Sequence, residues 1–421
     1  MKDRCIFHID INHCYAQIEE MKYPELRNVP MAVGGHEEER HGIILAKNDL
    51  AKKFHVQTGE SLREARKKCR DLLIIPPSYD DYIYYTNEVK NIYREYSDAV
   101  ESFGLDEAWV DYTSSIHLFG DANQMASHIQ KRVKREIGLD VSVGVSWNKI
   151  FAKLGSDMKK KDGPMIITRN NYKDVVWPRP VEDLLYVGPA TKKKLYSRGI
   201  YTIGDLANYP VVYLKKYMGM HGEVISIFAN GNDTSPVTNC AYVQPVKSVG
   251  NSMTMVHDVY SLEEVTPVYY MLCESVASRL KDHGMKGDVI HISARTAGLN
   301  WFGCQRKIDC KTNVSEVICK EALRLLEENY TFENPLRAVG VSVSGLASEK
   351  RGRQLNIFVD EEKEEKKRQI DIAMDKIREY YGFYAVRRAC TLVDSDLTEF
   401  NAKDDHTIHP VGYFQGRSMQ L

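Results

Sequence analysis

The spacing of apolar and polar positions changes along the chain and marks out its elements. Residues 4–11 (RCIFHIDI) are almost continuously apolar, as a strand buried on both faces should be, and they end at Asp10. A helix-like stretch runs on to Glu20. Residues 42–50 begin as a strand, and 51–69 read mostly as helix with a break at Thr58-Gly59. Pro76-Pro77 punctuate the pattern, and Ser78 is placed to cap a tyrosine-rich helix running to about Tyr96. Two short strands, 100–105 and 107–113, meet at Asp106-Glu107. Asp121 caps a helix that stops at Gly138, and 141–145 form another strand.

The order β-α, then β-β-α-β, predicts a split βαβ, ferredoxin-like sheet, with the insertion after its first helix forming a separate small lobe. From about 170 to 235 short helices alternate with glycine-containing turns, and 236–246 read as an extended linker. A second α+β unit follows: a strand near 247–255, a helix near 261–282, paired strands over 287–309, a helix over 314–329 and a strand over 336–345. A charged helix, Glu361–Tyr381, and an irregular end complete the chain.

At 421 residues the chain is too long for one ordinary core, so three or more compact units are expected. No uncharged apolar run reaches the roughly 18 residues that span a bilayer, and Met1-Lys2-Asp3-Arg4 leads directly into a strand without a signal-peptide core. No membrane partner is expected. The nine cysteines form no CxxC pair, which argues against a zinc site or a disulfide framework and fits a reducing cytoplasm. A net charge of −1 by itself argues against a nucleic-acid partner, which usually leaves a basic excess. Its distribution is uneven, however: Lys159-Lys160-Lys161, Lys192-Lys193-Lys194 and Lys215-Lys216 are basic clusters, and the segment around Asp360-Glu361-Glu362 is acidic.

The candidate chemistry lies in three carboxylates. Two-metal phosphoryl transfer needs acidic side chains that converge from different strands. Asp10 closes the first strand, and Asp106-Glu107 sit where two others meet. Adjacent strand residues point to opposite faces, so this pair shares a site only at a turn or irregularity. Taken alone, the dipeptide reads more readily as a solvated hairpin turn than as a metal site.

Its surroundings decide between the two. His8-Ile9-Asp10-Ile11-Asn12-His13-Cys14-Tyr15-Ala16-Gln17-Ile18-Glu19 resembles the first catalytic motif of Y-family (translesion) DNA polymerases. Phe103-Gly104-Leu105-Asp106-Glu107-Ala108-Trp109-Val110-Asp111 resembles the second, and the stretch from Ser142 to Asp157 (SVGVSWNKIFAKLGSD) resembles the third. The likeness, to bacterial proteins of the ImpB/MucB/SamB type, runs through roughly the first 345 residues. It implies an α+β multidomain right hand: a ferredoxin-like palm (1–20 and 77–167), small fingers (21–76), a helical helix–hairpin–helix thumb (168–235), a linker (236–246), a C-terminal α+β little finger (247–347) and a tail (348–421).

The resemblance further implies that Asp10 and Asp106 bridge two Mg²⁺ ions, for which Mn²⁺ can substitute, that Glu107 holds the catalytic ion, and that the backbone carbonyl of Ile11 joins the second. Tyr15 matches the family's steric gate against the ribose 2′-hydroxyl, and Cys14, Lys52 and Lys160 fall at nucleotide-binding positions. The fingers depart from the family: Asp49 and Lys52 stand where it supplies a Tyr and an Arg to the triphosphate, so weaker nucleotide binding is expected. Gly104 replaces a usual Ser, and Asn12 a frequent Asp.

Leu185 to Leu195 with Gly199 to Leu206 read as a helix–hairpin–helix, in which Gly188, Thr191 and Lys192 would receive a DNA phosphate without reading a base. Lys247, Arg295 and Arg337 are candidate backbone contacts in the second α+β unit. Gln354-Leu355-Asn356-Ile357-Phe358 resembles the peptide with which bacterial polymerases dock on the sliding clamp; Gln354, Leu355, Ile357 and Phe358 would be its anchors. The expected function is template-directed, error-prone DNA synthesis from dNTPs on primer–template DNA, in repair and damage tolerance. Two alternatives stay open on sequence grounds: a catalytically weak or inactive relative that binds damaged DNA, and a different palm enzyme such as a nucleotidyl cyclase. No proofreading exonuclease is expected.

Overall fold

The opening apolar run becomes β1 (Ile6–Ile11), buried at every position. The computed structural model describes residues 3–35, 42–158, 163–242, 244–349, 361–399 and 401–403. They divide into two compact units, 3–34 with 43–242, and 244–403.

In the first unit β1 leads through His13, in the left-handed region at φ 37°, into α1 (Cys14–Lys22). The small lobe comprises β2 (Met31–Gly34), β3 (Ile44–Lys47), α2 (Asp49–Lys53), α3 (Leu62–Lys68) and β4 (Leu73–Ile75), its sheet ordered β3-β2-β4. Of these strands the sequence pattern reveals only β3, because three or four residues are too few for an alternation to register. The buried amide of Asn48 ties the lobe to α1. It accepts from the N–H groups of Met31 (3.2 Å) and Ala51 (2.9 Å), capping α2, and donates to Glu20 (3.0 Å).

The chain then forms α4 (Tyr79–Arg94), β5 (Val100–Phe103), β6 (Glu107–Asp111), α5 (Ala122–Glu136), β7 (Val141–Ser146), α6 (Lys149–Met158) and β8 (Met165–Ile166). Ser78 does precede α4, yet its hydroxyl donates to Asp81 (2.6 Å) and does not cap the helix. Asp121 and Gln124 form a reciprocal capping box on α5. The sheet order is β5-β6-β1-β7-β8, with β1 antiparallel to both β6 and β7. First and third strands are thus central, as the ferredoxin-like expectation requires. One face packs Phe7, Ile9 and Ile11 against Tyr82, Val89 and Ile129. The other is covered by α6, which sits so close to β7 that a Cβ on Gly144 would lie 2.0 Å from the Ala152 carbonyl and 2.3 Å from the Ser156 nitrogen. Only glycine fits there.

Trp147, Phe151 and Leu154 on and beside α6 also seed the core of a helical segment made of α7 (Tyr172–Val175), α8 (Pro189–Tyr196), α9 (Ile203–Asn208), α10 (Val211–Met218) and α11 (Met220–Ala229).

The second unit contains β9 (Ser248–Val259), α12 (Leu262–Asp282), β10 (Met285–Thr296), β11 (Trp301–Thr312), α13 (Ser315–Asn329) and β12 (Leu336–Ser344). Its sheet runs β11-β10-β12-β9, all antiparallel, with both helices against one face. The chain ends, within the described residues, in α14 (Glu361–Tyr381) and α15 (Ser395–Thr398). These are integral to the unit: Leu397 and Ala402 are buried in its core, and Arg378 and Arg388 both pair with Glu274 of α12.

Candidate active site

The antiparallel register of β1 and β6 sets Asp10 directly opposite Glu107. Opposed residues share a face, with Cβ atoms about 4.5–5.5 Å apart. Phe103 pairs with Glu107 across the β5–β6 hairpin, so Gly104, Leu105 and Asp106 form the whole turn. Gly104 has φ +72°, a conformation that strains other residues. The Ile11 amide donates to the Asp106 carbonyl (3.2 Å) and ties the turn to the end of β1. Beneath it, the buried Lys90 ammonium donates to the carbonyl of Leu105 (2.7 Å). Burial lowers that ammonium to about 8, against the opposing pull of Asp106.

Adjacent carboxylates therefore meet at an irregularity, as expected. Asp10, Ile11, Asn12, Cys14, Tyr15, Asp106 and Glu107 line one cleft with room for about 440 Å³, together with Lys47, Asp49 and Lys52 from the small lobe. Burial, and then the charge of Glu107, push the Asp106 carboxyl up. Burial pushes Glu107 up too, but a hydrogen bond from His8 and the nearby positive charge of Lys153 outweigh it and hold this carboxyl at about 2. Burial lowers the His8 imidazole in turn, and the Lys153 ammonium lies 2.6 Å from Glu107 Oε2.

Among the described residues no group of three acidic, imidazole or thiol side chains is preassembled around one point as a metal centre. Mg²⁺ is usually held by one or two carboxylates plus substrate phosphates and water, not by an all-protein cage. The donors are hard oxygens facing a cleft where one carboxyl is destabilised by its neighbour. They fit a divalent cation.

Tyr15 is half-buried on α1, stacked on Tyr82 at 4.4 Å and 9° and edge-on to Tyr79. Burial and the Asp106 charge push its phenol up to about 12. Tyr82 is fixed by donating to Glu19 (2.6 Å). The Cys14 side chain is buried, and Asn12 accepts from Ser142 (2.6 Å), so its carboxamide is engaged within the sheet. Lys52 is exposed at the cleft, whereas Lys160 lies outside the described residues.

Roles for His8, Lys90, Lys153 and Ser156 escape the motif reading, though three of these residues stand inside the motifs. The period-2 placement of His8 and Asp10 on one strand face was the available signal.

In the helical segment Gly188 caps α8, and a Cβ there would meet open space. Lys192 is tied to Glu182 (2.7 Å) and lies over Tyr196, while Lys193 and Lys194 are exposed. Thr191 faces His221 across the two helix starts (3.4 Å). In the second unit Lys247 is exposed just before β9, Arg295 lies over the exposed Trp301, and Arg337 is half-buried at a bulge of β12. The sheet face away from the helices carries small polar residues: Gly250 and Ser252 of β9, Gly340 and Ser342 of β12, and Ser293 of β10. Gln354, Leu355, Ile357 and Phe358 lie outside the described residues. No helix among the described residues is long and apolar enough to cross a membrane.

Residues 9–157 match the impB/mucB/samB family, and residues 246–357 match the impB/mucB/samB family C-terminal domain. DNA polymerase IV of Acetivibrio thermocellus is 43% identical over 394 residues, covering 94% of this chain and 99% of that protein. DNA polymerase IV 2 of Bacillus subtilis is 36% identical over 399 residues, 93% of this chain and 95% of that one. A Y-family DNA polymerase chimera of solved structure shares the fold, with a TM-score of 0.72 at 21% identity over 82% of this chain and 99% of its own. With both family domains matched and such relatives aligned almost end to end, the chain belongs to the impB/mucB/samB family and is a Y-family DNA polymerase.

Proposed function

We propose that this chain extends a primer 3′ end on a damaged or undamaged template, adding dNTPs in the cleft of Asp10, Asp106 and Glu107. The observation that carries the proposal is the register pairing of Asp10 with Glu107 beside a three-residue turn presenting Asp106. Asp10, Asp106, Glu107 and the Ile11 carbonyl would hold two Mg²⁺ ions. When bound, these ions neutralise charge on the triphosphate and lower the pKa of the attacking 3′-hydroxyl. The chain's own part is to position. Tyr15, backed by Tyr82, forms a floor that excludes a 2′-hydroxyl, and the resemblance assigns Lys52 and Lys160 to the triphosphate.

The residue boundaries given for palm, fingers, thumb and little finger are part of the same reading. Gly188, Thr191 and the lysines of α8 would take a DNA phosphate, with Lys193 and Lys194 better disposed than Lys192, whose ammonium is engaged. The open Ser/Gly face of the second sheet, flanked by Lys247, Arg295 and Arg337, suits close, sequence-independent contact with a sugar–phosphate backbone. Resemblance alone supports docking of residues 354–358 on a sliding clamp.

Primer extension with Mg²⁺ tests the proposal. The wild type should extend, and Asp106→Ala should lose at least about a thousandfold in rate while still binding primer–template. Lys52→Ala should raise the dNTP KM several-fold. Extension by Asp106→Ala at the wild-type rate would end the reading.

A further inference from the structure

Glu107 reaches its neighbours through a single oxygen. His8 Nε2 lies 3.2 Å from Oε2, and Lys153 Nζ lies 2.6 Å from the same atom. Among the described residues no hydrogen bond is made to Oε1, and Glu107 lines the cleft. The two donors differ in kind. Lys153 is a flexible side chain with a second carboxylate, Asp157, at 3.9 Å. His8 has no exposed surface, meets Trp109 edge-on at 5.2 Å, and stands in register between Trp109 and Gly144. Its other nitrogen, Nδ1, is 2.7 Å from the Ser156 hydroxyl.

Hydrogen bookkeeping fixes the donor that faces Glu107. A carboxylate can only accept, so Nε2 must carry the hydrogen. Nδ1, on the other side of the ring, is the nitrogen that meets the Ser156 hydroxyl. That hydroxyl also donates to the Lys153 carbonyl one turn back (2.7 Å), which seats it on α6 beside the ring. A continuous relay results, Ser156 to His8 to Glu107, anchored where α6 rests on Gly144.

We propose that His8, oriented by Ser156, is the positioning residue for Glu107. It grips Oε2 from the buried side and turns Oε1 toward the cleft for the catalytic divalent ion. Outer partners of this kind set the direction in which a ligand's lone pairs point, and their loss typically costs about 10–100-fold in metal affinity. Lys153 supplies charge in this arrangement and His8 supplies direction. The proposal rests on Glu107 being a metal ligand, as read above.

The test is Mn²⁺ binding, followed by electron paramagnetic resonance, to the full chain with a dideoxy-terminated primer–template and the next dNTP. His8→Phe should weaken binding about 10–100-fold. His8→Gln, whose amide nitrogen falls where Nε2 was, should recover most of the loss. Ser156→Ala, a gentler change that leaves the ring in place, should give an intermediate weakening. Thermal unfolding of each variant identifies any that do not fold. Glu107→Gln in the same assay separates the two readings. If it leaves Mn²⁺ binding intact, the assignment of Glu107 fails and this proposal with it. If it weakens binding while folded Ser156→Ala and His8→Phe bind as the wild type does, or if His8→Gln is no better than His8→Phe, the role of His8 alone is overturned.

Discussion

Two sets of buried carboxylates, one in each unit, are treated in opposite ways. In the cleft, Asp106 stands beside Glu107 and is destabilised by burial and by that neighbour's charge. In the second unit, Glu274 is gripped by Arg378 and Arg388, and Asp371 accepts from the Ser315 backbone and hydroxyl (both 2.7 Å) and from Arg388 (3.2 Å). The second set is nearly sealed from water, at 8% and 6% side-chain exposure, with arginines supplying its counter-charge from within the chain. The cleft leaves part of that demand to be met from outside. Glu274 and Asp371, which hold the fold together, are satisfied by the protein, whereas Asp106 is left under-satisfied at a cost in stability, even though Glu107 beside it keeps Lys153 and His8.

Substitution can break this contrast. Glu274→Ala should cost about 3–5 kcal/mol in denaturant unfolding, because two arginines would lose a buried partner, while primer extension per folded molecule stays unchanged. A cost below about 1 kcal/mol, the worth of an exposed pair, would erase the distinction. Gly144→Ala should cost about 1–3 kcal/mol by overpacking α6 against β7 and should lower the extension rate too, since Lys153 and Ser156 ride on that helix. Stability and kcat, measured together, must fall together. Asp106→Asn gives the smallest effect and the opposite sign, a gain of about 0.5–2 kcal/mol in EDTA at neutral pH. The folded-state pKa of Asp106 is raised, so its ionised form opposes folding above that pKa. The gain should therefore shrink as pH falls and vanish below the unfolded value of about 3.9. Unfolding curves from pH 3 to 7 check this; a constant gain across the range would mean that charge is not its origin.

Much of this was legible in the sequence, for identifiable reasons. β1 is buried on both faces and announces itself by an unbroken apolar run, and the hairpin turn is marked by two adjacent acids between alternating strands. Strand order was legible only in part. Both units follow the sequence strand, helix, strand, strand, helix, strand, yet the first sheet centres on its first and third strands and the second on its second and fourth. Periodicity reports which face of a strand is covered and is silent on which neighbour it pairs with. The charged helix Glu361–Tyr381 has the predicted ends, but its role had no local signal, because the buried partners of Arg378 and Arg388 lie about a hundred residues away on α12. His8 and Ser156 were hidden for the same reason: 148 residues separate them, and only the seating of α6 makes them neighbours.

The two walls of the cleft differ in their tolerance of change. Behind Glu107, where α6 rests on β7, there is no space at Gly144 for one methyl group, so that side is closed to drift. The opposite wall, with Lys47, Asp49 and Lys52, is formed by a short strand and a five-residue helix with solvent-facing side chains. Descendants of this sequence could therefore alter their appetite for particular nucleotides, or for damaged ones, again and again, while the reaction they perform stays the same.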